Sequence, residues 1–324
     1  MIVRWGLGEL ESVLEELGIR QALLVASLRL AGPELPVSAR FTGVRRHAPV
    51  ESVAAALEAA SVADGVVALG GGSAIDTAKA VSAKTALPLV AVPTTYSGAE
   101  WTRYYGSRDE ERRVKTGGSG ANTVAIVYEP RLTLELPLDE TVGTALNALA
   151  HCAEALYVDG HNDEADAQAL AGAPLLGRWL PEVVARPGDL DARTKLLEGA
   201  MHAGAALAGS GLALGHAIAQ ALGGRYGLPH GAMNALSLPP ALRFNEPVVP
   251  EAVARFGDAL RAADPPSRVE ELARLGGFER LREFGVPEDD LETLAGDVVA
   301  RPGTEANPRP VTVEDAEVLL RSIW

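Results

Sequence analysis

Gly65-Val66-Val67-Ala68-Leu69 runs without a polar side chain directly into Gly70-Gly71-Gly72-Ser73, and a helical pattern follows from Ser73 to Lys84. A strand that is apolar at every residue, rather than at every second one, is covered on both faces. That points to a parallel sheet between helices. The glycines let the chain turn sharply and bring its backbone close to a ligand. Ser73 reads as the N-cap, which would leave the first N–H groups of the helix available to a pyrophosphate. The spacing is not G-x-G-x-x-G, and a plain glycine turn is the other reading of the same residues.

The rest of the first half repeats this texture. Gln21 to Ala26, Pro88 to Val92 and Thr123 to Tyr128 read as further strands, and Glu51 to Val62 as an Ala-rich amphipathic helix. The loop Pro93-Thr94-Thr95-Tyr96-Ser97-Gly98-Ala99-Glu100 follows one of these strands. It places hydroxyls at the carboxyl edge of the sheet, where open α/β sheets bind ligands. After Pro137 the pattern becomes helical: Asp139 to Tyr157, Asp163 to Val184, Leu190 to Ala208 and Leu212 to Leu222, with breaks expected at Pro174, Pro187-Gly188, Pro229 and Pro265-Pro266. The fold class is therefore an N-terminal α/β domain with a parallel sheet, over 1–135, followed by an all-helical domain over 136–324.

Charge and cysteine content narrow the partners. With 29 Lys and Arg against 43 Asp and Glu, the chain carries a formal net charge of −14, which gives no electrostatic footprint for nucleic acid or an anionic membrane. An anionic substrate must meet a local positive site, and Lys115, Arg103 and Arg225 are candidates by position. One cysteine, Cys152, excludes an intrachain disulfide and suits a reducing cytoplasm. The N-terminus reads as free of a signal peptide. The longest apolar run, Ala203 to Ala221, is interrupted by Ser210, His216 and Gln220 and reads as buried helix.

Three of the six histidines stand on apolar helical stretches of the second half. His151 follows Asn147 by four residues, so the two share a helix face. His216 lies in Gly215-His216-Ala217 and His230 in Pro229-His230-Gly231. Three imidazoles on three helices can meet and bind a divalent metal; equally, each can be a hydrogen-bonded core residue. His47, His161 and His202 have no such context and read as structural or surface residues.

In order and spacing, Gly70 to Lys79, Pro93 to Glu100, Asn147 to Tyr157 and Gly211 to Asn245 together resemble the iron-containing alcohol dehydrogenases, which share the dehydroquinate synthase-like architecture. The resemblance covers nearly the whole chain. It implies that Gly70, Gly71, Gly72, Ser73, Asp76, Thr94, Thr95, Ser97 and Lys115 bind NADH or NADPH. It also implies that Asn147, His151, His216 and His230 form the catalytic constellation, at the positions of the family's Asp-x-x-x-His and two later histidines.

Asn147 replaces the family's aspartate, and a neutral amide is a weaker ligand than a carboxylate. With the Asn147 to Tyr157 segment, Lys115-Thr116-Gly117, Tyr128 to Leu134 and Ala221 to His230, this substitution is similar to the maleylacetate reductase branch. That branch reduces the carbon–carbon double bond of 2-maleylacetate to 3-oxoadipate in aromatic catabolism. The implied cofactor is NADH or NADPH with no metal required, so the four metal positions are read as vestigial. The implied partners are an unsaturated keto dicarboxylate and a second copy of the chain in a homodimer.

Gln220 stands where the family has a further histidine, and it cannot shuttle a proton as histidine can. Two rival readings follow. One is a metal-dependent alcohol dehydrogenase in which Asn147 still ligates. The other is a cofactor-binding homologue without catalysis. A dehydroquinate synthase-like lyase lacks an evident acidic metal ligand here.

Overall fold

In the computed structural model the structure describes residues 1–30, 32, 34–109 and 114–324, with the side chains of Val114 and Lys115 outside that set. The chain divides into two compact units: Met1–Thr95 with Ala99–Glu135, and Tyr96–Gly98 with Leu136–Trp324.

Among the described residues the first unit carries eight strands: β1 (Ile2–Trp5), β2 (Ala22–Ala26), β3 (Ala39–Phe41), β4 (Gly65–Gly70), β5 (Leu89–Pro93), β6 (Tyr105–Asp109), β7 (Val114–Gly118) and β8 (Thr123–Tyr128). Its helices are α1 (Glu9–Glu16), α2 (Val50–Ala59) and α3 (Gly72–Thr85). Six strands form one parallel sheet in the order β1-β8-β5-β4-β2-β3.

Alternation along the buried strands explains their unbroken apolar sequence. Leu24, Val67, Val90 and Val127 pack on one face with Leu10 and Val13 of α1. Leu23, Val25, Val66 and Leu89 pack on the other with Ala56 of α2 and Ile75, Ala78 and Val81 of α3. The edge strands β1 and β3 were not expected from sequence. Neither was the antiparallel β6–β7 pair, which forms a separate two-stranded sheet.

The second unit is helical: α4 (Leu138–Ala155), α5 (Asp163–Ala185), α6 (Leu190–Ser210), α7 (Leu214–Tyr226), α8 (His230–Asn245), α9 (Pro250–Leu260), α10 (Pro265–Arg274), α11 (Leu291–Val299), α12 (Pro302–Glu305) and α13 (Val313–Ser322). All strands among the described residues precede Glu129. The break expected at Pro174 does not occur. Helix α5 runs through both Pro174 and Pro181, and α8 through Pro239 and Pro240. Packing along these helices, where Ala173, Leu176, Leu180, Leu238 and Leu242 are buried, outweighs the lost backbone hydrogen bonds. Pro265 and Pro266 open a helix instead of ending one, since the first turn needs no N–H.

Helices α6 and α7 meet at 99°, across a break that includes Gly211 at φ +127°. Among the described residues, no single helix is long and apolar enough to cross a membrane. Helix α4 packs against α5, α6 and α8, and α7 packs against α8. The segments bearing Asn147, His151, His216 and His230 are thereby gathered.

Candidate active site

In the first unit β4 delivers the chain into the glycine turn. Gly70 sits at φ +150°, and a Cβ built there would stand 2.7 Å from the Ala74 Cβ. A Cβ on Gly71 would meet Thr95 Cγ2 at 2.6 Å. The turn is thus closed from behind by the loop after β5, and Thr94 N–H donates to the Gly70 carbonyl at 3.1 Å. The N-cap of α3 is Gly71, not Ser73 as expected. Ser73 lies inside the first turn, where its Oγ accepts from the His47 N–H at 3.0 Å. The N–H groups of Gly72 and Ser73 precede the first intrahelical bonds, which close from Ala74 and Ile75 onto the Gly71 carbonyl. His47, read as having no context, therefore supports this turn through its backbone, at φ +63°.

Asp76 is half-buried one turn into α3. Lys79, one further turn on, is buried and donates to Thr102 Oγ1 and to the Tyr104 carbonyl. Burial pushes the Lys79 ammonium down, while Asp76 and Glu100 pull it back up. Thr94 and Thr95 are buried. Ser97 departs from the expected group: Tyr96–Gly98 belong to the helical unit. The Lys115 side chain lies outside the described residues.

In the second unit the structure brings three of the six histidines together. The His151 and His216 rings stack at 4.7 Å between centroids and 13° between planes, and His230 lies 5.9 Å from His216. His151 and His216 are buried and His230 half-buried. Burial, and then His216, hold the His151 imidazole well below its usual range, so the ring is neutral. His161 is exposed, and His202 pairs through Nδ1 with Gln168 at 2.7 Å on the α5–α6 side.

Asn147 is fixed at both ends of its amide. Nδ2 donates to the Ser97 carbonyl at 2.9 Å, and Oδ1 accepts from Asn234 Nδ2 at 2.7 Å. The same Asn234 nitrogen lies 3.1 Å from His230 Nε2. Ser97 itself is held by its neighbours. The Tyr96 N–H donates to Thr144 Oγ1, and the buried Arg193 donates to the Tyr96 hydroxyl and to Thr141. Gly98 is pressed against Gly204, and a Cβ there would stand 3.5 Å from His151 Nδ1.

Two residues that sequence reasoning missed complete the group. Asn234, one turn after His230, ties two of the four positions together. Glu154, fully buried on α4, accepts from His216 Nδ1 at 2.7 Å. A signal existed for Glu154: a carboxylate three residues after His151 on an otherwise apolar helix must find partners inside. Of the cations proposed by position, Arg225 is committed to Asp290 and Asp297, and Arg103 is exposed.

A family model of iron-containing alcohol dehydrogenases matches residues 5–130, and one of the C-terminal part of that family matches residues 141–324. The chain is 38% identical over 331 residues to a maleylacetate reductase of Pseudomonas knackmussii, covering 98% of this chain and 93% of the relative. Among solved structures it is similar to a maleylacetate reductase from Agrobacterium tumefaciens, with TM-score 0.90, 31% identity and coverage of 100% and 95%. It is likewise similar to an iron-containing alcohol dehydrogenase from Corynebacterium glutamicum, with TM-score 0.90, 30% identity and coverage of 100% and 94%.

These matches overturn the expectation that no metal is required, because the family implies iron or another metal ion beside NAD(P)H. The physical reason lies in Glu154, which the expectation based on the neutral Asn147 amide did not include: its carboxylate adds negative charge directly behind His216. The donors suit a divalent transition metal in kind, being imidazole nitrogens and an amide oxygen. His216 Nε2 and His151 Nδ1 are buried polar atoms without a hydrogen-bond partner among the described residues. The side chains do not close into a cage: among the described residues no three His, Cys, Asp or Glu converge on one point.

Proposed function

Because the chain belongs to the iron-containing alcohol dehydrogenase family, we propose that it is an NAD(P)H-dependent reductase that converts 2-maleylacetate to 3-oxoadipate. The chain is a maleylacetate reductase-like oxidoreductase, and the observation that carries the reading is its 38% identity to such an enzyme along nearly the full length of both. The fully engaged Asn147 amide supports it, since it is the residue by which the sequence resembles that branch.

In this proposal the turn Gly70 to Ser73 takes the pyrophosphate on the backbone N–H groups at the start of α3. Asp76, Thr94 and Thr95 border that turn and contribute to the dinucleotide site, as does Lys115 by position. NADH or NADPH, bound at that turn, would supply a hydride to the alkene carbon β to the substrate ketone. The double bond of the substrate would shift to give an enolate, and a proton would then add at the α carbon, so one hydride and one proton complete the reduction. His151, His216 and His230, with Asn147 Oδ1, would hold a divalent metal, which supplies Lewis-acid polarisation of the ketone oxygen. Because His230, half-buried beside the two buried rings, is placed among the ligands, the proton at the α carbon is drawn from water. The proposal includes a cytoplasmic homodimer, which sedimentation of the purified protein and fractionation of cells check.

The test is oxidation of NADH and NADPH by the purified protein with 2-maleylacetate, and identification of 3-oxoadipate as the product. Turnover of aldehydes or simple ketones with none of maleylacetate would support the alcohol dehydrogenase alternative. Cofactor binding without turnover of either class would support a non-catalytic homologue.

A further inference from the structure

Helix α7 begins without a local cap. Its N-cap residue is Ala213, which has no side chain able to accept a hydrogen bond. The acceptor comes instead from another helix. Glu154 Oε2 accepts from the Ala213 N–H at 2.7 Å, and Glu154 Oε1 accepts from the His216 N–H at 3.1 Å. Capping alone does not need a buried carboxylate, since a serine or aspartate at position 213 would satisfy the same N–H groups locally at lower desolvation cost. The third bond is the distinguishing one: Glu154 Oε2 also faces His216 Nδ1 at 2.7 Å.

We propose that Glu154 is the positioning residue of the histidine group, fixing His216 as its Nδ1–H tautomer with the Nε2 lone pair directed into the site. This rests on the reading that His216 works in the site. A carboxylate is only an acceptor, so the ring nitrogen facing it carries the hydrogen. The other nitrogen, Nε2, is then a bare lone pair, and it is buried with no partner among the described residues. The carboxylate also restrains His216 through its own backbone N–H, so ring and main chain are held by one group. Room for this arrangement is provided at position 215, where a Cβ would stand 2.9 Å from Glu154 Oε1. Glycine at that point of an apolar helix is costly by propensity. Its presence is explained by the carboxylate it admits.

The test uses the full-length protein with ring-15N histidine and reads tautomers from long-range 1H–15N spectra. Wild-type His216 is expected to show a protonated Nδ1 and an unprotonated Nε2 at neutral pH. In Glu154→Gln one oxygen position becomes an NH2, which cannot accept from all three donors, and His216 is expected to move toward the Nε2–H form. Equilibrium binding of Co(II), followed by its visible absorption, is expected to weaken about 10- to 100-fold. A folded Glu154→Gln protein that keeps the Nδ1–H tautomer and the wild-type Co(II) affinity overturns the proposal, as does a wild-type spectrum with protonated Nε2. If Glu154→Gln does not fold, Gly215→Ala decides: its methyl presses on Oε1, and an unmoved His216 Nδ1 resonance overturns the assignment. Failure of maleylacetate turnover leaves all these readouts intact, so the two readings fail separately.

Discussion

The Asn234 side chain, on α8, donates to Asn147 Oδ1 on α4 at 2.7 Å while the other end of the Asn147 amide donates to the Ser97 carbonyl at 2.9 Å. Asparagine at position 147 is therefore more than an aspartate without its charge. It is a two-ended clasp joining α4, α8 and the Tyr96–Gly98 segment, and only an amide offers a donor at one end and an acceptor at the other.

Replacing Asn147 by aspartate keeps the acceptor and turns the donor into an oxygen facing the Ser97 carbonyl. We expect the metal-free Asn147→Asp protein to lose about 1–3 kcal/mol of stability, the usual cost of an unsatisfied buried polar pair. Urea unfolding checks this. An unchanged midpoint would show that the clasp holds nothing.

Gly71→Ala should weaken both fold and cofactor binding, because the new methyl meets Thr95 Cγ2 at 2.6 Å. Overpacking of this kind costs about 1–3 kcal/mol. Thr95→Ser removes the opposing methyl, so the double variant should recover part of the stability lost in the single one. A double-mutant cycle of melting temperature and NADH affinity measures the coupling, and strict additivity would rule the clash out.

Family membership predicts that removing metal matters. Dialysis against a chelator should lower reductase activity, and returning Fe(II) or Zn(II) should restore it, with metal content followed in parallel. Full activity in protein shown to be metal-free would contradict the prediction.

Acid should destabilise the first unit through Glu129. Hydrogen bonds from the Arg131 side chain, then from the Leu7 and Arg131 N–H groups, hold this carboxyl down at about 2, against the opposing effect of burial. A depressed folded value means that the contribution is complete above the unfolded value of about 4.3 and is lost as pH falls from there toward about 2. Glu129→Gln should be less stable than wild type at neutral pH and should lose this part of the acid dependence. Parallel melting curves for the two proteins at every pH would refute the assignment.

The sequence by itself determined the class of the fold. Four buried strands, the glycine turn and the change to helices after Pro137 were legible because local periodicity reports which faces are covered. Asn147, His151, His216 and His230 were legible as residue types on apolar helices, and three of them are histidines that the structure brings within 4.7 and 5.9 Å of one another.

Short edge strands such as Ala39–Phe41 carry too few residues for a period to show. Pro174 reads as a helix breaker, and only the packing of α5 decides that it is not. What tertiary structure alone decided is the pairing: Glu154 with His216 across 62 residues, and Asn147 with Asn234 across 87. Neither pair leaves a local pattern. Each exists because helices distant in sequence bury polar side chains against one another, and a buried donor or acceptor must be satisfied by whatever the fold places beside it.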